Sequence, residues 1–237
     1  EKSIKELEGA AAESCEKLQI ASVQADVTAA AGLKEPMITV MASGESGSLF
    51  ESEKACADQD IIMAGYTGGY GAAKLTFANE AELENHFNSV FLSPILEADY
   101  TGDAISTVKA VEAAAAAGVR TMYACGEGGV YSAVWELAEN AGLGARIQLK
   151  KVPLKQETVE ICDYFNISPY QLLSVGAVLL TATHGQKVLA ELAAAGIPAV
   201  IIGHLTDDND RVVLNEEEVR FLEPFRYESL NQAKSES

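Results

Sequence analysis

The sequence predicts an α/β fold, or the related α+β arrangement, on two observations. Short β-branched runs alternate along the chain with stretches whose apolar residues recur every three or four positions, and turn residues separate the two kinds of segment. Glycine clusters stand where two of the strands give way to helices. The alternation is most regular in the last third. Ala177 to Thr181 reads as a strand, Gln186 to Ala195 as a helix burying Val188, Leu189 and Leu192, and Pro198 to Ile202 as a strand buried on both faces.

The remaining elements follow in order. Ile4, Leu7, Ala11, Cys15 and Leu18 mark one face of an amphipathic helix over Ser3 to Leu18. Ile20 to Val27 and the β-branched Met37 to Ala42 read as strands. Asp60 to Met63 is a strand that runs into Gly65 to Gly71, then a helix around Ala72 to Leu75. Ala104 to Ala117 is a helix closed by Gly118, since glycine accepts the left-handed turn that ends helices. Val119 to Ala124 is a strand followed by Gly126, Glu127, Gly128 and Gly129. The next helix places Val130, Val134, Leu137, Ala138 and Ala141 on one face. A helix over Lys155 to Phe165 precedes Ser168-Pro169, where serine can cap and proline can open a further short helix. Arg211 to Leu214, after the turn residues Asp207 to Asp210, is expected to pair as a hairpin. Residues after Leu230 are expected to be disordered.

Composition narrows the partners. The 237 residues carry 35 acidic and 17 basic side chains, a formal charge of -18, so nucleic-acid phosphates and anionic membrane surfaces are repelled. The apolar runs are far shorter than the roughly 20 residues that cross a bilayer, and no basic-then-apolar leader opens the chain. The reading is a soluble, cytoplasmic protein with reduced thiols. Cys15, Cys56, Cys125 and Cys162 lie far apart with no CxxC pair, and His86, His184 and His204 have no zinc spacing, so no metal site is expected. Asp207, Asp208, Asn209 and Asp210 begin like a calcium loop, but Arg211 and Val212 fall where such a loop needs an oxygen ligand and a glycine. No GxSxG elbow is present. The chain starts at Glu1 rather than at methionine, which fits a longer native protein.

Three stretches carry a family resemblance. Gly176 to Asp207, GAVLLTATHGQKVLAELAAAGIPAVIIGHLTD, resembles the closing strand–helix–strand unit of the carboxy-terminal domain of the AIR synthase-related ATP-binding family. Gly126 to Gly142, GEGGVYSAVWELAENAG, resembles that family's glycine-rich turn and helix. The opening helix with Ala25 to Thr28 resembles the end of its amino-terminal, ATP-binding domain. Val152 to Leu180 is most similar to the hydrogenase-maturation branch. The resemblance implies a mixed sheet packed with helices. It also implies three segments: 1–32 as the end of the amino-terminal domain, 33–230 as the carboxy-terminal domain, and 231–237 as a tail. Family members use ATP and Mg²⁺ to phosphorylate an amide-like oxygen for cyclisation or dehydration, chemistry that rests on positioning and charge neutralisation.

Departures from the family pattern fall on its chemistry. Tyr123, Ala124 and Gly126 stand where relatives carry histidine, aspartate and threonine, leaving Glu127, Gly128 and Gly129 either as an anion site at a helix start or as a structural turn. Gly65, Gly68, Gly69 and Gly71, with Tyr66 and Tyr70, form either a phosphate cradle or a close-packed turn, matching neither GxGxxG nor a Walker loop. Ser22, Val23, Gln24 and Ala25 replace a Gly-Gly segment, which removes the close backbone approach a nucleotide needs. Asp26 reads as a turn-facing acid or a stray metal ligand. The last cysteine is Cys162, whereas the resemblance to the hydrogenase-maturation branch implies a substrate group carried on a carboxy-terminal cysteine. The expectation is a degenerate, non-catalytic binding or accessory protein, partnered as a homodimer or with a full-length relative. The alternative is an ATP-dependent enzyme whose amino-terminal domain lies outside this chain.

Overall fold

A computed structural model describes residues 2–17, 39, 41, 53–98 and 105–224. Its contacts group into two units, Glu1–Leu49 and Phe50–Ser237. In the first unit Lys2–Lys17 forms helix α1, as its periodicity predicts. The strand expected at Ile20 to Val27, most of Met37 to Ala42, the boundary between 32 and 33, and the tail after Leu230 lie outside the described residues.

The second unit is built on a seven-stranded sheet. In chain order its strands are β1 (Asp60–Ala64), β2 (Thr121–Ala124), β3 (Gly144–Gln148), β4 (Val178–Ala182), β5 (Ala199–Thr206), β6 (Arg211–Asn215) and β7 (Glu218–Phe221). They are arranged β2-β4-β1-β5-β3-β6-β7. Every described pairing is antiparallel except β3 with β6, so the sheet is mixed. The expected mixed α/β architecture is what the chain adopts. β1 lies between β4 and β5 with Ile61, Ile62 and Met63 fully buried. Side chains on a strand alternate between faces, and the core divides accordingly. Ile61, Met63, Leu179 and Ile147 pack with Val130, Val134 and Leu137 of α6 (Gly129–Ala141) on one face. Ile62, Ala64, Val178 and Leu180 pack on the other with Ala110 and Ala114 of α5 (Val108–Ala116) and Val188 and Leu192 of α8 (Gly185–Ala194).

A third apolar cluster is entirely helical. Ala72 and Ala73 of α2 (Gly69–Ala78), Leu83 of α3 (Glu80–Leu83), Leu92 and Ile95 of α4 (Ser89–Leu96) and Ile161 of α7 (Gln156–Tyr164) bury one another. The Asn88 side chain caps α4 by accepting from Phe91 N at 2.9 Å, satisfying one of the donors a helix start leaves open. No helix among the described residues is long and apolar enough to cross a membrane.

Two expectations are corrected. Arg211 to Leu214 does not pair back across Asp207 to Asp210 as a hairpin. β6 runs parallel to β3, which separates it from β5, and its hairpin partner is β7 through the turn at Glu216, whose φ is 58°. Residues 169–172 form a turn rather than a short helix. The carbonyls of Pro169 and Tyr170 are directed at Gly68 and at Tyr131, so they do not serve an intrahelical ladder.

Candidate functional site

Two strand-to-helix turns open side by side. Ala64 ends β1 and Ala124 ends β2, and both lie opposite Val178 of β4. Each turn ends on a left-handed glycine at the helix N-cap, Gly68 (φ 70°) before α2 and Gly128 (φ 74°) before α6, with Gly129 also left-handed at φ 61°. A β-carbon at such φ meets backbone, which is why glycine occupies these positions. The candidate residues thus form two adjacent helix starts, Gly68, Gly69 and Gly71 at one, Gly126, Glu127, Gly128 and Gly129 at the other.

One segment of the chain, 168–174, fills the space between them. Leu173 O accepts from Gly71 N at 2.9 Å and Tyr170 O from Tyr131 N at 3.3 Å. Ser174 Oγ accepts from Gly68 N at 2.8 Å. The Gly68, Gly71 and Tyr131 amides are therefore turned onto protein oxygens. Steric contact agrees. A β-carbon on Gly71 would lie 2.4 Å from Leu172 Cγ, and one on Gly129 would lie 2.4 Å from Tyr170 O. At Gly68, Gly71 and Gly129 the absent side chain admits this segment. Gly69 and Gly126 instead have open space where a β-carbon would stand.

A shallow cleft of about 370 Å³ borders the second turn, lined by Tyr123, Ala124, Gly126, Glu127, Ser132 and Glu136 among others. The Tyr123 hydroxyl donates to one Glu136 carboxylate oxygen, and Ser132 Oγ donates to the other at 3.0 Å. Tyr131 and Tyr170 stack beside the turn, centroids 5.4 Å apart and 9° from parallel. Burial pushes the Tyr131 phenol up to about 12, with Tyr170 adding to the rise and Arg220 opposing it, so this hydroxyl stays protonated at neutral pH.

These residues do not fit the Mg²⁺ that the family resemblance implies. Magnesium demands several hard oxygen ligands in octahedral geometry. Both oxygens of Glu136 already accept from Tyr123 and Ser132, which leaves Glu127 as the remaining carboxylate lining the cleft. Among the described residues no group of three or more His, Cys, Asp or Glu could hold a metal. Asp207 to Asp210 turns the chain between β5 and β6, with Asp208 Oδ1 accepting from Thr206 Oγ1 at 2.8 Å and Asp210 N at 2.9 Å. Sequence reasoning overlooked Ser174 and Glu136. The signal for Ser174 was a small hydroxyl residue in an apolar run just before a buried strand; Glu136, half-buried on α6 beside Ser132, reads in sequence as an ordinary polar helix residue and gave none.

A mixed seven-stranded sheet flanked by helices, two of them opened by glycine turns, defines the chain as an α/β domain. The family profile described as AIR synthase related protein, C-terminal domain, matches residues 67–215, and the chain belongs to that family. A carbamoyl dehydratase, HypE, of Rhizobium leguminosarum bv. viciae is 25% identical over 169 residues, covering 68% of this chain and 45% of the relative. The HypE–HypF complex contains a chain of similar fold, with TM-score 0.58 and 18% identity over 73% of this chain and 54% of that one. HypE in complex with ATP gives TM-score 0.55 and 16% identity over 73% and 52%. This chain spans about half the length of these proteins.

Proposed function

We propose that this chain is an accessory, protein-binding member of the AIR synthase-related family of hydrogenase-maturation type, and that its own residues carry out no ATP-dependent step. The observation that carries this reading is the filling of both glycine turns by segment 168–174, with Gly68, Gly71 and Tyr131 amides bonded to protein oxygens. The polar residues of the second turn point the same way, because Tyr123 and Ser132 are engaged with Glu136. A HypE relative that forms a complex with HypF supports a protein as the partner. A full-length family relative or a second copy of this chain is the occupant that fits the expectation from sequence. Calorimetric titration with ATP and Mg²⁺ tests the reading. Heatless titration to millimolar nucleotide is expected, and micromolar binding overturns it.

A second reading has its own support. The chain covers only about half of its relatives' length, and one similar structure holds ATP. Under it, an amino-terminal ATP-binding domain lies outside this chain, and Gly126, Glu127, Gly128 and Gly129 meet substrate opposite the nucleotide. The intact mass of the native protein separates the two, because only the second reading requires a chain of about twice this size.

A further inference from the structure

Strand β7 ends the sheet on one side and carries exposed apolar residues. Among the described residues it pairs with β6 alone, and Glu218, Val219, Arg220 and Phe221 are all exposed. Val219 and Phe221 are 54% and 68% exposed, and no other large apolar side chain of a described strand is left so open. Val213 packs with the cluster under α6, so its neighbours Val212 and Leu214 point to the other face, where Phe221 and Val219 lie opposite them. The cluster that α5 and α8 bury on that face contains no residue of β6 or β7.

The hairpin fixes which backbone groups of β7 face outward. Leu222 N donates to Arg211 O at 2.7 Å, and bonded positions alternate along an antiparallel pair. Glu218 and Arg220 therefore turn their amides and carbonyls toward β6, while Val219 and Phe221 turn theirs away from it. Such an outward row is a template for another strand.

The side chains select the strand that fits. Charges on an edge ordinarily keep other chains away, but those of β7 complement a copy of themselves. When a second β7 runs antiparallel about a two-fold axis at Val219, Glu218 stands opposite the partner's Arg220, and symmetry repeats the pair. Within each chain Arg220 already grips Glu218 with two bonds of 2.9 Å, so four charges of alternating sign meet. The next register that keeps the outward bonds sets Val219 against the partner's Phe221 and brings the two Arg220 side chains face to face, which like charges disfavour. In the register centred on Val219, Phe221 lies diagonal to the partner's Val219, within the reach of an aromatic side chain.

We propose that β7 pairs edge to edge with β7 of a second copy of this chain, joining two seven-stranded sheets about a two-fold axis. An edge of four residues buries less than the roughly 1,200 Å² of a stable interface, so the dimer is a weak one. The proposal names a surface for the second copy offered above as a partner. It stands whatever the glycine turns bind.

Sedimentation equilibrium of the full 237-residue chain up to about 1 mM tests this, in about 0.15 M salt to screen the repulsion between two chains of charge -18. A reversible monomer–dimer equilibrium is expected. Arg220→Glu sets like charges opposite each other at both pairs and should weaken the dimer about tenfold or more. Combining Glu218→Arg with Arg220→Glu restores opposite charges across the axis and should recover the dimer. Val219→Pro deletes an amide that faces away from β6, so the hairpin persists while the dimer is lost. Thermal unfolding verifies that each variant folds. A chain that stays monomeric throughout overturns the proposal. So does a dimer that Arg220→Glu and Val219→Pro leave unchanged, or one that the double substitution fails to restore.

Discussion

Ser174 Oγ lies 2.8 Å from the amide of Gly68, the left-handed residue that opens α2. The same hydroxyl is 3.0 Å from Thr67 Oγ1 and donates to Leu172 O at 2.7 Å. Ser174 and Thr67 are both fully buried. One small side chain thus satisfies a helix-start donor that water cannot reach.

Replacing it exposes that dependence. Ser174→Ala leaves the Gly68 amide and the Thr67 hydroxyl without this partner, and the expected loss is about 1–3 kcal/mol. Urea unfolding measures it. A loss below about 0.5 kcal/mol would show that the bond contributes little to the turn.

Gly129 tests the packing at the other turn. Alanine there combines a left-handed φ of 61° with a β-carbon 2.4 Å from Tyr170 O and 2.8 Å from Leu172 O. Both neighbours are backbone and cannot rotate away. A loss above about 2 kcal/mol is expected, since strain and displaced backbone act together. Gly126→Ala, where nothing lies within 4 Å, serves as control and should cost far less.

The thiols should divide by burial. Burial pushes the Cys125 and Cys162 thiols up to about 12, while Cys56 is exposed. A thiol reagent at pH 8 is expected to modify Cys56 in the native protein and to reach Cys125 and Cys162 only after unfolding. The sign of the pH effect follows. The folded thiols bind their protons more tightly than the unfolded ones, so their stabilisation is intact below the ordinary thiol value of about 8.5. It declines as pH rises from there toward the folded value. Unfolding midpoints at pH 7.5 and 10 check this, with a smaller decline expected for Cys125→Ala.

Asp208 acts at the acid end. The Thr206 hydroxyl, then the Asp210 amide, then Arg146 hold its carboxyl below the ordinary aspartate range. A depressed folded value means that stability is present above the unfolded value of about 3.9 and is lost as pH falls through the folded one. Acid unfolding of Asp208→Asn is expected to show a shallower slope than wild type below pH 4 or so. Identical slopes would assign the acid sensitivity elsewhere.

The segments legible in the sequence are those whose pattern one element completes by itself. β4, α8 and β5 stand where alternation and the three-to-four spacing put them, because each carries a full apolar face or run within its own few residues. β3 was not legible. Gly-Ala-Arg-Ile-Gln shows only two apolar side chains on one face, and it becomes a strand because β5 and β6, both far later in the chain, flank it. The same distance hid the partner of β6. At the candidate site, the glycines were visible but their role was not, since what occupies the space at Gly71 and Gly129 is a segment tens of residues further on. The short helix expected at Ser168-Pro169 failed for the same reason, as tertiary contacts override a local start signal.

The parallel pairing of β3 with β6 also bears on how the chain reaches its native state. Residue 144 finds its neighbours only after residues 199–215 are available, so half of the sheet waits on contacts of long sequence separation. During synthesis everything up to Leu149 emerges with β3 unpaired on both sides, an open edge of the kind that recruits other chains. Removing β6 and β7 would leave that edge of β3 open permanently, and the shortened chain should aggregate although the apolar cluster of Ile62 and Ala64 with α5 and α8 is untouched.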